Sequence, residues 1–185
     1  MTDSTVSDSQ VLVWTLLLAS TMTAISTTAV SPALPAIEAH FADTANVTLL
    51  VGLLVSITAL CIGLGSPLAG IVADRYGRKR LLVGAIGATA VAESSGYLLD
   101  SLLAILLSRA LLGFGVAGVI VAATTLITDC FVAERCDSVL GLQGAVVFAA
   151  GGVLLPVGGA LADVGWRLPF LVYFCPLALL PLVIG

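Results

Sequence analysis

Long runs of apolar residues, separated by short polar segments, dominate the chain from residue 11 onward. A helix needs roughly 20 apolar residues to cross a hydrocarbon core about 30 Å thick. Cutting the chain at its charged residues leaves six runs of about that length, each with at most one formal charge. The predicted spans cover residues of about 11–36, 47–73, 81–99, 101–128, 139–162 and 168–185. The runs are too long for barrel strands and do not alternate strictly, so the pattern predicts an all-α integral membrane fold.

Composition agrees with this pattern. The chain is 59% hydrophobic and 10% charged, with a mean hydropathy of +1.18, which leaves too few polar groups to cover a water-facing surface. The net charge of -4, with most basic residues in one short segment, argues against nucleic-acid binding. Residues 1–10 are polar and acidic and lack a positive n-region, so they are predicted to form a cytoplasmic tail and not a cleaved signal peptide.

The segment of residues 70–82 carries four of the seven basic residues, namely Arg75, Arg78, Lys79 and Arg80. Such a cluster between apolar spans marks the cytoplasmic side of a membrane. Gly70 is expected to let a neighbouring helix come close, and Gly77 can adopt the positive φ of a tight turn. Asp74 ends the second span, where its own helix dipole disfavours a carboxylate, so we expect it to face an Arg or another helix's N-terminus.

The pattern Gly-x-x-Ala-Asp-Arg-x-Gly-Arg-Lys-x-x-Leu of this segment resembles the loop between spans two and three of the major facilitator superfamily of secondary transporters. The resemblance implies the N-terminal six-helix half of a larger transporter, built as an inverted 3+3 repeat. It also implies a gating segment made of Gly70, Asp74, Arg75, Gly77, Arg78 and Lys79, contacted by Glu134 and Arg135 of the next cytoplasmic loop. Asp74 and Arg135 are the expected ion pair. An internal repeat agrees, because the Gly-x-x-Ala-Asp of residues 70–74 reappears at residues 159–163.

Two charged residues lie within predicted spans, where an ionisable group costs at least about 2.5 kcal/mol on insertion scales. Arg109 is followed four residues later by Gly113, which resembles the superfamily's fourth-span pattern, although Leu112 stands where Gln is usual. The resemblance implies that Arg109 couples protons or orients substrate in a cavity; a structural ion pair is the alternative. Glu93 lies thirteen residues beyond Arg80. It is either a protonatable cavity group or a carboxylate near the outer headgroups, and its position favours the headgroups.

Two further features bear on transport. The first span offers hydroxyls in place of an acidic residue, at Ser20, Thr21, Thr23, Ser26, Thr27 and Thr28. They either line a polar cavity or bond to their own helix, and the sequence leaves both open. In span five, Gly151, Pro156 and Gly159 match part of the Gly-Pro motif typical of antiporters in the superfamily. Leu155 and Ala160 replace two of its glycines, so the match to antiport is partial.

The resemblance implies a secondary active transporter of small molecules, with proton-coupled efflux as the expected activity. Five basic residues in the predicted inner loops against one, Arg167, in the outer loops predict a cytoplasmic N-terminus. The expected location is the cell membrane. The sequence contains no nucleotide-binding or hydrolase motif that would indicate an enzyme. His40 and the four cysteines lack the spacing of metal ligands. Expected partners are a small-molecule substrate, protons, lipid and a second six-helix half, without a cofactor or nucleic acid. The alternative is a non-transporting membrane module that binds or regulates a full transporter.

Overall fold

The computed structural model describes residues 3–28, 31–131, 133–165 and 168, and its regular elements are all helical. They are α1 (Asp3–Thr28), a short 3₁₀ helix (Ser31–Ala33), α2 (Leu34–His40), α3 (Val47–Tyr76), α4 (Arg78–Leu98), α5 (Leu102–Cys130) and α6 (Ala133–Val164). The predicted all-α fold is confirmed. The segment predicted as a polar tail is already helical from Asp3. Of the sixth predicted span, only Leu168 lies within the described residues.

Three helical segments of the described chain are long and apolar enough to cross a membrane. They are Val47–Tyr76, Leu102–Cys130 and Arg135–Val164. Their positions correspond to the predicted second, fourth and fifth spans. The described residues do not confirm the full set of six spans or the inverted 3+3 repeat, and both stay predictions. The two copies of the repeated segment do share one feature, because each lies at the end of a long apolar helix.

The turn between α3 and α4 consists of the single residue Gly77, which has a φ of 91°. Residues with a Cβ rarely adopt this backbone conformation, so the positive φ predicted at Gly77 is confirmed. The sequence suggested that the basic residues after Gly77 form a loop, but they do not. Arg78, Lys79 and Arg80 instead make the first turn of α4, because Gly77 alone reverses the chain.

α5 is the central helix, and it packs against α1, α3 and α4. A Cβ added at Gly113 would lie 2.6 Å from the carbonyl oxygen of Thr58 on α3. A Cβ added at Gly115 would lie 2.6 Å from the hydroxyl of Thr89 on α4, and one added at Gly118 would lie 2.7 Å from the Cβ of Ala85 on α4. Glycines at helix interfaces allow backbones to approach closely in membrane proteins. These three glycines therefore set the distance of α5 from two neighbours.

Among the small residues of α3, only some form a close helix contact. Gly65 is buried, and a Cβ there would lie 2.9 Å from the ring of Phe114. Gly63 and Gly70 have no atom within 4 Å of an added Cβ. The role expected for Gly70, to let a neighbouring helix come close, is therefore wrong for the described part of the chain.

The two larger apolar clusters of the described residues pack the helices together at different levels of α5. One joins α1, α4, α5 and α6, and its fully buried members include Leu16, Ile86 and Ile127. The other joins the 3₁₀ helix, α2, α3, α5 and α6, and includes Ile37 and Ile105. Arg109 of α5, discussed below, lies along the helix between these two clusters. Burial of apolar side chains on both sides of it encloses that charge within the protein.

Candidate functional site: a buried polar cluster on three helices

Glu93 of α4 is fully buried, at 0% exposure. One of its carboxylate oxygens, Oε1, accepts a hydrogen bond from the hydroxyl of Ser26 on α1. The other, Oε2, is buried and has no hydrogen-bond partner among the described residues. Glu93 therefore does not lie among the outer headgroups, the interpretation that its position in the sequence favoured. A buried carboxylate is costly unless it is hydrogen-bonded or paired, and so its immediate surroundings matter.

Arg109 of α5 supplies the opposite charge. Its side chain is 2% exposed, and it interacts electrostatically with the Glu93 carboxylate. An arginine side chain stays protonated in proteins, so this positive charge is permanent. Glycines of α5 allow α3 and α4 to pack close to it, so that these helices enclose the Arg109 charge on both sides. A carboxylate, a guanidinium and a hydroxyl from three different helices thus share one buried region.

A cavity of about 100 Å³ adjoins this cluster and is lined by Ser26, Arg109 and one face of α3. The α3 residues are Leu54, Val55, Thr58, Ala59 and Ile62. The Thr58 hydroxyl lies 3.0 Å from the carbonyl oxygen of Leu54 and 3.4 Å from that of Arg109, so it connects α3 to α5. The cavity is mainly apolar with a polar end, and its volume exceeds what one ordered water needs.

Gly113, predicted to lie with Arg109 in the substrate or proton pathway, does not line this cavity. Its backbone packs directly on α3, where a Cβ would clash with Thr58 and Cys61. The glycine four residues after Arg109 therefore shapes the site indirectly, by bringing the cavity wall of α3 close to α5. Gly115 and Gly118 act in the same way toward α4. The short spacing of the three glycines, in a helix that also carries a charge, is the sequence signal that could have identified them.

The hydroxyls of α1 follow both alternatives that the sequence left open. Ser20, Thr21 and Thr23 donate to carbonyl oxygens of their own helix at 2.6–2.8 Å. Ser26 instead reaches Glu93. The Ser20 hydroxyl also accepts a hydrogen bond of 2.7 Å from the side-chain amide of Gln143 on α6. The side chain of Thr27 lies outside the described residues.

The residues of the antiporter-like motif lie on the face of α6 that meets α1 and the 3₁₀ helix. A Cβ at Gly151 would lie 3.7 Å from the Thr28 hydroxyl, and a Cβ at Gly159 would lie 3.8 Å from Pro32. Gly151 and Pro156 also line an open cavity of about 510 Å³ between α1 and α6. This cavity is apolar apart from Thr28 and backbone groups, because its remaining lining residues are Ala24, Val147, Phe148, Gly152 and Leu155.

The charged residues at the α3–α4 turn make a different contact from the predicted one. Asp74 and Arg135 are both exposed and do not form an ion pair; the Arg135 guanidinium lies over the Phe131 ring, 5.6 Å from its centre. The ion pair joins Arg78, in the first turn of α4, to Asp129, in the last turn of α5. The expected Asp74–Arg135 pair is therefore wrong in this structure.

Asp129 is the residue of this region that sequence reasoning missed. It stands at the end of an apolar helix, as Asp74 does, and that shared placement was the available signal. Arg78 also approaches the backbone carbonyl of Thr125, at 3.5 Å. These contacts connect the α3–α4 turn to the end of α5. The Arg75 guanidinium lies 5.9 Å from the centre of the Tyr76 ring, Lys79 is exposed, and the side chain of Glu134 lies outside the described residues.

Long apolar helices around a buried carboxylate and guanidinium define a multi-pass membrane protein with a polar interior. The model of the Major Facilitator Superfamily matches residues 16–185. The chain belongs to that superfamily, whose members are transporters, and the family predicted from residues 70–82 is confirmed.

Two solved structures share this fold. A crystal structure of a D-xylose-proton symporter matches with a TM-score of 0.81 and 15% identity, over 95% of this chain and 47% of that one. The proton:xylose symporter XylE bound to 6-bromo-6-deoxy-D-glucose matches with a TM-score of 0.81 and 16% identity, over 94% of this chain and 44% of that one. The chain thus spans slightly less than half the length of each. Among curated proteins, no sequence matches significantly.

Proposed function

We propose that this chain is the N-terminal six-helix half of a secondary transporter that couples movement of a small molecule to protons. The observation that carries the proposal is the buried cluster in which Ser26 donates to Glu93 beside Arg109. Ionisable residues buried within membrane-spanning segments are expensive, and they commonly mark substrate paths or proton relays. In this proposal Glu93 carries the proton. Arg109 is the positive charge that ionised Glu93 compensates, and that substrate or water contacts when Glu93 is protonated.

The proposed mechanism depends on how the two charges balance each other. When Glu93 is ionised, its carboxylate compensates the Arg109 guanidinium, and the Ser26 hydroxyl satisfies one carboxylate oxygen. When Glu93 takes up a proton, Arg109 loses that compensation and needs another anionic or polar group. A buried charge without a partner is strongly unfavourable, so protonation favours a state in which substrate or water reaches Arg109. Proton uptake and substrate contact are coupled through the same guanidinium.

The movement itself is proposed to involve the α3–α4 turn and α6. The Arg78–Asp129 pair connects that turn to the end of α5, next to the proposed gating residues Asp74, Arg75 and Lys79. In α6, Pro156 has no backbone N–H to donate to the carbonyl of Gly152, which makes this part of the helix easier to bend. A second six-helix half would complete the substrate site, since transporters of this kind bind substrate between repeats.

The partial Gly-Pro motif in α6 supports antiport as the mode of transport, and efflux across the cell membrane as its direction. The two similar solved structures are of proton symporters, so transport must be measured in both directions. D-xylose is a suitable first probe because xylose is named for both structures, and as D-xylose for the first. Anionic and strongly polar small molecules extend the panel, since Arg109 favours such groups.

The experiment reconstitutes the chain in proteoliposomes, alone and together with a co-expressed second six-helix half. Glu93→Gln should abolish accumulation driven by a pH gradient while leaving exchange of labelled for unlabelled substrate, because only the proton-carrying group is lost. Asp43→Asn, an exposed loop change, is the matched control and should retain both activities. Gradient-driven accumulation by Glu93→Gln at the control rate would contradict the proposal. Absence of transport in every arm, with specific binding to a complete transporter, would favour the regulatory alternative.

A further inference from the structure

A groove of about 300 Å³ runs between α3, α4 and α5, away from the cavity beside Arg109. Buried small residues line its inner part, namely Ala69, Ala85, Gly115 and Gly118. Large apolar side chains at its edges, namely Leu68, Leu111 and Phe114, are 43–55% exposed. On α4 the lining residues extend from Leu81 to Ala88, which corresponds to a rise of about 10 Å along the helix axis. The groove is therefore elongated and apolar throughout.

One end of the groove is basic. A neighbouring space shares Gly84 with the groove and is otherwise lined by Lys79, Arg80 and Val83. Arg80 lies one helical turn before Gly84, on the same side of α4. Both basic side chains are exposed, and neither forms an ion pair within the described part of the chain, whereas Arg78 is already paired with Asp129. Two positive charges thus remain available where the groove opens.

The start of α4 adds to this positive potential. The helix has no side-chain N-cap and no acidic residue in its first turn, so its first backbone N–H groups have no capping side chain. Such N–H groups and the helix dipole favour an anion at this position. The nearby end of α3 carries exposed Asp74 and Arg75, whose charges oppose each other. The local balance therefore favours a negatively charged group next to Lys79 and Arg80.

We propose that this groove binds an anionic phospholipid of the surrounding bilayer. The acyl chain lies between α3, α4 and α5, and the phosphate lies at Lys79, Arg80 and the first turn of α4. Charge complementarity selects this occupant, because a zwitterionic lipid would fill the groove without balancing both basic residues. A free phosphate would leave the apolar part empty. Basic pockets between membrane helices are recognised sites for anionic headgroups.

The test uses the 185-residue chain in detergent and measures binding of phosphatidylglycerol and phosphatidylcholine with identical acyl chains by native mass spectrometry. Phosphatidylglycerol should bind more tightly. Lys79→Gln and Arg80→Gln should each reduce that preference by about fivefold. Gly84→Leu should weaken binding of both lipids by filling the groove. A Cβ at Gly84 meets no atom within 4 Å, so the added side chain starts in open space.

Two control variants isolate the site. Gly87→Leu places the same side chain on α4, outside the groove and also without a neighbour within 4 Å, and should bind both lipids normally. Arg75→Gln removes a basic residue that lines neither space and should keep the preference. Equal losses for Arg75→Gln and Arg80→Gln would show general surface attraction and overturn the site. Unchanged binding by Gly84→Leu, or competition by glycerol phosphate at the same concentration as the lipid, would overturn the role of the groove.

Discussion

The hydroxyl of Ser26 donates a hydrogen bond to the carboxylate of Glu93, although the two residues lie 67 positions apart and on different helices. The contact connects α1 to α4 inside the protein, and Arg109 of α5 provides the neighbouring positive charge. None of the three side chains exceeds 3% exposure. Their interaction therefore takes place away from bulk water, where a missing partner has a large effect on stability.

The first prediction concerns the strength of this contact. Ser26→Ala should lower the free energy of unfolding by about 1 to 3 kcal/mol, because it leaves a buried carboxylate oxygen without its donor. Thermal or denaturant unfolding of the purified chain in detergent measures the change. In a Glu93→Met background the same substitution should cost clearly less, since the acceptor is then absent. Equal costs in both backgrounds would show that the two side chains are not energetically coupled.

Thr21→Ala is the matched control for this cycle. Thr21 is on the same helix, but among the described residues its hydroxyl bonds to the carbonyl of Leu18 in its own helix and to no other helix. Its removal should change the unfolding free energy by no more than about 0.5 kcal/mol. A loss at Thr21 as large as that at Ser26 would indicate that α1 is sensitive to any polar-to-apolar change.

The second prediction concerns the close contact of α5 with α3. Gly113→Ala should destabilise the protein by about 1 to 3 kcal/mol, because the new Cβ would lie 2.6 Å from the Thr58 carbonyl oxygen and from Cys61. Gly63→Ala, in open space on α3, should be neutral or stabilising by up to about 1 kcal/mol, since alanine is the better helix former. Unfolding midpoints of the two variants, measured side by side, provide the comparison. Equal destabilisation would contradict the steric explanation.

Much of the fold could be predicted from the sequence, because long apolar runs leave few alternatives. The helix positions follow from the lengths of the apolar runs. The turn lies at Gly77 because glycine tolerates a φ of 91°, which residues with a Cβ rarely adopt. The predicted start of α4 was too late, because the predicted span began only after the cluster of basic residues. Charges predict the membrane boundary, but they do not predict whether the backbone there is helix or loop.

The partners of charged groups were harder to predict than their positions. Arg109 and Glu93 stood out as charges within apolar runs, yet their common location depends on how α4 and α5 pack. That packing is set by Gly115 and Gly118, whose effect appears only when the opposing residues are known. Arg78 likewise pairs with Asp129, because the first turn of α4 meets the last turn of α5. Pairing depends on tertiary geometry, which a single sequence does not contain.

The third prediction compares two aspartates at helix ends. Asp129→Asn should lower the free energy of unfolding by up to about 1 kcal/mol, because its pair with Arg78 is partly exposed and solvent screens it. The loss should shrink at high salt and disappear in an Arg78→Gln background. Asp74→Asn should leave stability unchanged, since Asp74 is exposed and forms no ion pair with described residues. A larger loss at Asp74 than at Asp129 would contradict this assignment of the pair.

The fourth prediction concerns orientation in the membrane. From the excess of basic residues at the α3–α4 turn, we expect this turn to lie in the cytoplasm and the segment between α2 and α3 to lie outside. In a background without the four native cysteines, Ala42→Cys should react with a membrane-impermeant thiol reagent added to intact cells, whereas Tyr76→Cys should not. Both positions are exposed in the fold, so a difference in labelling reports the side of the membrane and not burial within the protein. Permeabilised cells are the control, in which both variants should react. Labelling of Tyr76→Cys but not Ala42→Cys in intact cells would reverse the orientation, and the basic end of the lipid groove would then face the outer leaflet.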